Sequence, residues 1–204
     1  MARILFAYIL MMSLSACSEQ RSTEAKDQFR LSDGEVTQLF EMPGDLKVEQ
    51  STKSLLFFRL QYPSMNARDP QGVPQDDEIA VWISLANHIG RAESLVKQAN
   101  EKIDPSLPGQ HYHDGKAGPF EVYRGMLDKS SLWPQEVIYV FRDEDGELVG
   151  VEDPGSWSRA YGVYRKIGPN IHVRYHIAKA LGRDFIEIDK TVKDFILKHA
   201  KGGK

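Results

Sequence analysis

The chain contains one cysteine, Cys17, and lacks an apolar run as long as a membrane-spanning helix. A lone thiol is a liability in an oxidising compartment, and exported chains tend to avoid it. A transmembrane helix needs about 20 apolar residues. The stretch from Ile4 to Ala16 is too short unless polar neighbours extend it.

The chain also lacks an excess of positive charge. It has 26 basic and 29 acidic side chains, a formal net charge of −3, and loss of residues 1–16 would leave 25 against 29. Scattered charges of this balance give no electrostatic footprint for nucleic acid. We therefore expect no nucleic-acid partner.

Recognisable catalytic motifs are missing as well. There is no G-x-S-x-G elbow, and Gly155-Ser156-Trp157 lacks the flanking pattern of one. The acids Asp76-Asp77-Glu78 precede a predicted strand and are more typical of a solvated strand entry than of a glycosidase pair. We predict no catalytic residue, no cofactor and no enzyme, although a triad assembled from distant residues stays open.

The N-terminus has the organisation of a secretory signal peptide. Arg3 precedes the apolar stretch Ile4 to Leu14, and small residues follow it. Leu14-Ser15-Ala16-Cys17 resembles the bacterial lipobox, in which cleavage frees the cysteine amine and the thiol carries diacylglycerol. An ordinary cleaved signal needs no cysteine at its end, so we predict a lipoprotein lipidated at Cys17.

The resemblance to a lipoprotein implies a place in the cell. Each buried acyl methylene contributes about 0.8 kcal/mol, so palmitate-type chains on Cys17 would hold the protein on a membrane. The next residue is Ser18 rather than aspartate, which resembles the default for the outer membrane in enteric-type bacteria. We expect a signal peptide over 1–16, a flexible tether over 17–30 and one periplasm-facing domain over 31–204.

Residue periodicity in the domain predicts an α+β fold, with a middle helix and a C-terminal helix against one face of a mainly antiparallel sheet. Alternation and turn signals predict strands at 54–62, 78–85, 120–126, 136–142, 148–151, 161–167 and 171–178. Helical spacing predicts a helix over Arg91 to Ile103 and another that begins after the capping residue Asp184.

Two groups of histidines raise the question of a metal. His172 and His176 lie four apart on a predicted strand, about 13 Å from each other, too far to share one zinc ion. His111, His113 and Asp114 are the better candidate, but a third strong ligand in register is absent. The acids Asp143, Asp145 and Glu147 lack the length of an EF-hand loop. We predict no metal site.

Binding residues are sought among the aromatic and cationic side chains that are enriched in protein interfaces. His172, Arg174 and His176 form a polar stripe, either a solvated sheet surface or a recognition surface for an acidic partner. The segment from His111 to Pro119 is interpreted as a loop suited to insertion into a cleft. Predicted partner-binding residues are Tyr112, His113, Trp157, Arg174 and His176.

The layout of lipobox, short tether and one domain without an active site is similar to periplasmic lipoproteins that act as immunity proteins for type VI secretion effectors, particularly phospholipases. This resemblance implies a protein partner, a toxic lipase-type effector, that is blocked by occlusion. The alternative is a constitutive envelope lipoprotein that scaffolds other proteins or carries a small or lipidic ligand. An apolar cavity would favour the carrier, and an exposed aromatic patch would favour protein recognition.

Overall fold

A computed structural model describes residues 26–85, 90–100, 111–125 and 136–202. The predicted signal peptide, Cys17 and the first part of the predicted tether lie outside these ranges. The strands are β1 (Lys26–Ser32), β2 (Thr37–Pro43), β3 (Glu49–Thr52), β4 (Leu55–Gln61), β5 (Asn66–Arg68), β6 (Glu78–Leu85), β7 (His111–Ala117), β8 (Phe120–Gly125), β9 (Val137–Arg142), β10 (Leu148–Asp153), β11 (Ala160–Ile167), β12 (Ile171–Ala178) and β13 (Ala200–Lys201). The helices are α1 (Arg91–Asn100) and α2 (Phe185–His199), with a 3-10 turn at Lys179–Leu181.

The strands form two antiparallel sheets. The large sheet has ten strands in the order β3-β4-β6-β12-β11-β10-β9-β8-β7, and β5 also pairs with β4. The small sheet has the order β1-β2-β13. Hairpins connect most neighbours from β8 to β12, whereas β6 reaches β12 only after the intervening strands, so the sheet joins distant parts of the chain.

The two faces of the large sheet differ in what covers them. Directly paired residues of antiparallel strands point to the same face. One cross-strand row consists of Phe58, Val81, Tyr175, Val163 and Val151 and defines the core face. The adjacent row consists of Phe57, Trp82, Arg174, Tyr164 and Gly150 and defines the α1 face.

The core face is covered by α2 and by the small sheet. Phe185, Ile188, Val192 and Ile196 recur at helical spacing on α2 and are buried in the main hydrophobic core. Leu31, Phe40 and Met42 of the small sheet belong to the same core. Burial of these side chains, each worth about 1.5–3 kcal/mol, holds the two layers together.

Helix α1 packs on the opposite side of the sheet. Leu95 forms a second, smaller cluster with Tyr123, Ile138 and Val140 on the α1 face. A Cβ on Gly150 would lie 3.4 Å from the Cβ of Ala92 and 3.1 Å from the ring of Tyr164, so glycine permits the close approach of α1. The prediction that both helices lie against one face is therefore wrong, because both faces of the central strands are apolar enough to be covered.

The mainly antiparallel α+β fold with a middle and a C-terminal helix is confirmed, and most predicted strands lie within a residue or two of the observed bounds. Part of the predicted helix, 101–103, lies outside the described residues. Asp184 occupies the N-cap position of α2 but its side chain makes no capping hydrogen bond. The tether prediction extends too far, since Lys26 to Arg30 lie in β1.

Residues 111–117 also differ from the sequence interpretation, because they form strand β7 rather than a loop. A bulge between His113 and Lys116 accommodates Asp114 and Gly115. Cross-strand side-chain contacts link β7 to β8, since Glu121 forms a hydrogen bond with His113 and an ion pair with Lys116, each at 2.7 Å. Polar pairing across strands stabilises this hairpin, and hydrophobic alternation, the signal used for the other strands, is missing from it.

A buried polar network fixes α2 to the sheet. The fully buried side chain of Arg165 on β11 forms ion pairs with Asp143, next to β9, and with Asp189 on α2. Tyr175 donates a hydrogen bond to Asp189 at 2.6 Å, and Lys193 bonds to Asp143 at 3.0 Å. Each buried charge therefore has an opposite charge or a donor, as burial requires.

The electrostatics of Asp143 follow from this network. Burial by itself raises the pKa of Asp143, but hydrogen bonds from Lys193 and Arg165 outweigh that effect and lower the pKa from 3.8 to about 2.

None of the helices in the described ranges is both long and apolar enough to cross a membrane.

Asp143→Asn tests the stabilising role of this carboxylate. Because its pKa is lowered on folding, the ionised Asp143 stabilises the fold above about pH 4, and that contribution is lost as the pH falls towards 2. We expect the substitution to lower the free energy of unfolding by about 2 kcal/mol or more at pH 7, and by progressively less below pH 4. Urea unfolding across this pH range measures both effects.

Asp145→Asn is the matched control. Asp145 also pairs with Lys193, but its side chain is 66% exposed, compared with 7% for Asp143. An exposed pair of this kind contributes at most about 1 kcal/mol. Equal losses of stability in the two variants would contradict the role assigned to the buried network.

Candidate functional site

A groove lies on the α1 face of the large sheet, beside α1. Its volume is about 570 Å³, within the range of about 300–1,000 Å³ that is usual for ligand sites. The floor comes from β4, β6, β12 and β11, and the wall comes from the first residue of α1. Side chains on this face that line it are Leu55, Trp82, Ser84, Arg91, Tyr164, His172, Arg174 and His176.

Stacked aromatic rings form one part of the floor, at Trp82 and His176, and its border, at Phe57. Phe57 and Trp82 lie side by side on paired strands, with ring centroids 4.8 Å apart and planes inclined by 28°. The ring of His176 lies 4.8 Å from Trp82 on the other side. All three side chains are half-buried. The alternation of each strand places its aromatic residues on the face opposite the core, where they present a continuous ring surface to the groove.

Arg174 lies at the centre of the floor. It is exposed, and its cross-strand neighbours are Trp82 on β6 and Tyr164 on β11. Burial lowers the pKa of His176, and the positive charge of Arg174 lowers it further. His176 is therefore held in its neutral form near pH 7, so that it contributes a ring and hydrogen-bonding nitrogens without a charge.

The wall of the groove is held in place by a polar cluster at the start of α1. Arg91 reaches Glu152 at 3.1 Å and Glu136 at 3.5 Å, and its guanidinium carbon lies 4.4 Å from the ring centre of Tyr164. Tyr164 donates a hydrogen bond to Glu152 at 2.5 Å. These contacts anchor α1 to β10 and β11, and thereby set the width of the groove.

The two carboxyl groups of this cluster differ in acidity. Burial raises the pKa of Glu152, whereas the hydrogen bond with His111, 2.8 Å away, lowers the pKa of Glu136. Of the two, Glu152 takes up a proton first as the pH falls. The hydrogen bond from Tyr164 lowers the pKa of Glu152 but does not outweigh burial, and the neighbouring Glu136 raises it further.

The structure brings together two of the five predicted partner-binding residues. Arg174 and His176 lie in the groove. His113 lies in the same cross-strand row as His176, but β11, β10, β9 and β8 separate them, which amounts to about 24 Å across the sheet. Tyr112 is also on β7, next to His113. The β7 pair is therefore a separate region from the groove.

Trp157 occupies a third place, in the connection between β10 and β11. Its side chain is 61% exposed. Lys179 stabilises the same connection, because its ammonium bonds to Asp153 at 2.7 Å and to the carbonyl oxygen of Gly155. The five residues thus occupy three regions of the surface, and partner binding at each of them stays a prediction.

The histidines of the metal candidates are engaged with different carboxylates. His111 bonds to Glu136, and His113 bonds to Glu121. Among the residues that the structure describes, no group of three or more histidine, cysteine, aspartate or glutamate side chains is arranged to hold a metal ion. His172 and His176 point to the same face from β12, as the strand prediction requires.

Sequence reasoning missed Trp82, Tyr164 and Arg91 as groove residues, and Phe57 as the ring that stacks on Trp82. Strand alternation places Phe57 and Trp82 on one face of their own strands, but only the register between β4, β6 and β12 brings them beside Arg174. That register pairs residues about 90 positions apart, such as Trp82 and Arg174, so a local sequence pattern cannot predict it.

Comparison with solved structures identifies a protein of similar fold. This is Smlt3025, an immunity protein of the Stenotrophomonas maltophilia type IV secretion system, with a TM-score of 0.58 and 14% identity over 88% of this chain and 94% of that chain. At this identity the likeness concerns the fold. A Pseudomonas aeruginosa protein of unknown function, PA94, aligns with a TM-score of 0.23 and 15% identity over 82% of this chain and 94% of that chain, too low a score for a shared fold.

No protein-family model matches the chain, and no curated protein sequence matches it. The sequence resemblance was to immunity lipoproteins of type VI systems, whereas the protein of similar fold belongs to a type IV system. Both the sequence resemblance and the similarity of fold are to immunity proteins of bacterial secretion systems.

The electrostatic arrangement of the groove is testable by titration. Replacing Arg174 by Gln removes a positive charge beside His176, so the pKa of His176 is expected to rise. Burial remains in the variant, and the pKa is expected to stay below its usual value of 6.5. Imidazole NMR signals followed against pH measure this shift, and an unchanged His176 titration would contradict the proximity of the two groups.

Proposed function

We propose that the protein is an immunity protein that binds and neutralises a toxic effector of a bacterial secretion system by covering the effector's functional surface. The observation that carries the proposal is the fold, which resembles that of a secretion-system immunity protein over nearly the whole of both chains. The protein itself would perform no chemistry, in keeping with the absence of a catalytic motif from the sequence.

The α1-face groove supports protein recognition. Aromatic and arginine side chains are enriched among the residues that dominate binding energy in interfaces. Phe57, Trp82 and Arg174 present this combination on one face of the sheet, and the stacked pair Phe57–Trp82 is already ordered before binding. A charged floor of this kind is less suited to a lipid chain, which an apolar cavity would hold.

The place of action in this proposal is the periplasm. Lipidation of Cys17 after cleavage of residues 1–16 would tether the domain to the envelope, and Ser18 favours the outer membrane. The tether extends at most to residue 25, since β1 begins at Lys26. Eight residues between Cys17 and Lys26 span at most about 30 Å, which keeps the domain close to the membrane.

The layout of the sequence favours a lipase-type effector of a type VI system as the partner. Such an effector attacks the membrane to which the immunity protein would be attached. Anchoring would therefore raise the local concentration of the immunity protein at the surface that the effector attacks. The similarity to a type IV immunity protein makes effectors of that system the second group to test.

Co-expression tests the proposed function. Candidate effectors encoded beside this gene are directed to the periplasm of a sensitive bacterial host, with and without the protein. We expect one effector to be toxic alone and harmless in the presence of this protein, and the purified pair to form a complex of nanomolar affinity, as in stable complexes of standard size. Smlt3025 in place of this protein serves as the specificity control.

Failure of the protein to bind or neutralise any candidate effector would contradict the immunity function. Recovery of envelope-assembly proteins or a co-purified lipid instead would favour the scaffold or carrier alternative. Protection by Smlt3025 as well would show that the observed effect is not cognate recognition.

Cys17→Ser tests the lipid anchor separately. The substitution removes the thiol that would carry diacylglycerol, and we expect radioactive palmitate to label the unaltered protein but not the variant. The variant should move from the membrane fraction to the soluble periplasmic fraction, because stable anchoring takes at least two acyl chains and the variant would carry none. Palmitate labelling of Cys17→Ser would contradict lipidation at this residue.

A further inference from the structure

The cations around the α1-face groove differ in whether they are neutralised. Arg91 is paired with Glu152 and Glu136, and Arg59 with Glu78. Arg174 makes no ion pair or side-chain hydrogen bond within the described parts of the chain. Lys166, which is paired in register with His172 on the same face, has no carboxylate partner there either.

Two carboxylates close to the groove are already engaged. Tyr164 and Arg91 both bind Glu152, and the buried carboxylate of Glu78 faces Arg59. No aspartate or glutamate lies in the rows of the floor that contain Arg174 and His172 on β4, β6, β12 and β11. Glu93 of α1 lies beside Gly90 and the side chain of Lys166, outside these rows. The strand rows around Arg174 are therefore positive, although the whole chain has a net charge of −3.

The surroundings of Arg174 define the group that it would recognise. A guanidinium is planar and delocalised, binds a carboxylate through two parallel hydrogen bonds, and stacks favourably on aromatic rings. Trp82 and Tyr164 are its neighbours on either side. A negatively charged chain as a whole repels polyanions, so a single carboxylate within a protein segment is a better fit than nucleic acid.

From this charge pattern we propose that the α1-face groove is the effector-binding site, and that it takes an effector segment with a carboxylate side chain bound to Arg174. An apolar or aromatic side chain of the same segment packs on the Phe57–Trp82 stack. Neutral His176 completes the pocket without competing for the carboxylate. The proposal rests on the proposed immunity function and names the surface and the chemistry of its partner.

The experiment compares two charge reversals in the purified full protein against the cognate effector. Arg174→Glu reverses the charge in the groove, and Arg30→Glu reverses an exposed arginine on β1, in the small sheet on the opposite side of the large one. Both substitutions change the net charge equally, so that long-range steering is altered alike. We expect Arg174→Glu to weaken binding by about 30-fold or more, mainly through faster dissociation.

Arg30→Glu is expected to bind within about twofold of the unaltered protein, as exposed charges outside an interface do. Arg174→Lys keeps the charge but loses the two parallel hydrogen bonds, so its affinity should lie between the two. A charge-reversed effector, with the matching acid changed to lysine, should regain affinity for Arg174→Glu. Circular dichroism and thermal unfolding verify that each variant is folded.

The outcomes separate the two proposals. If the unaltered protein binds its effector and Arg174→Glu binds it equally well, the groove assignment is overturned while the immunity function stands. If the unaltered protein binds no effector, the immunity function itself fails. A loss of affinity that is the same in Arg174→Glu and Arg30→Glu would also overturn the groove, because it would reflect net charge alone.

Discussion

The structure depends on one buried charge network, centred on Arg165. This arginine projects from the core face of β11 into a layer that is otherwise made of aliphatic and aromatic side chains. Its desolvation is offset only if Asp143 and Asp189 are both in place. Asp189 is on α2, and Asp143 lies where β9 turns towards β10. Hydrophobic contacts are non-directional and would be compatible with several positions of α2, whereas the ion pairs of Arg165 require α2 to lie in one position.

The two faces of the large sheet have different roles, one in stability and the other in the proposed binding. The core face supplies stability, because α2 and the small sheet bury it. Within the described residues, α1 covers the β7–β11 part of the α1 face, and strand geometry places Phe57, Trp82 and Arg174 side by side on the part formed by β4, β6 and β12. Side chains on strands in the middle of a sheet are more precisely positioned than side chains on loops, which favours selective binding.

The sequence predicts those elements whose residues show a local pattern, and it does not predict features that depend on contacts between distant strands. Strands such as β6 and β12 alternate over eight residues, and α2 repeats its apolar residues over four turns, so local pattern is enough to predict them. Strand β7 consists of polar and small residues, and its identity as a strand comes from ion pairs with β8. Arg174 was identified within its stripe, but its aromatic neighbours belong to distant strands. The pairing register of these strands determines which side chains surround Arg174, and local sequence pattern contains no information about that register.

The pairing of β13 with β2 has a consequence for the order of folding. Ala200 lies opposite Phe40, and Gln38 donates a hydrogen bond to the carbonyl oxygen of Lys201, across 163 positions of sequence. Until the last twenty residues of the chain are available, the core face has no α2 and the small sheet has no third strand. Contacts of such sequence separation form late and slowly. Because the core of this topology is completed only by the segment after Asp184, we expect the native state to form after the chain has been synthesised rather than during synthesis.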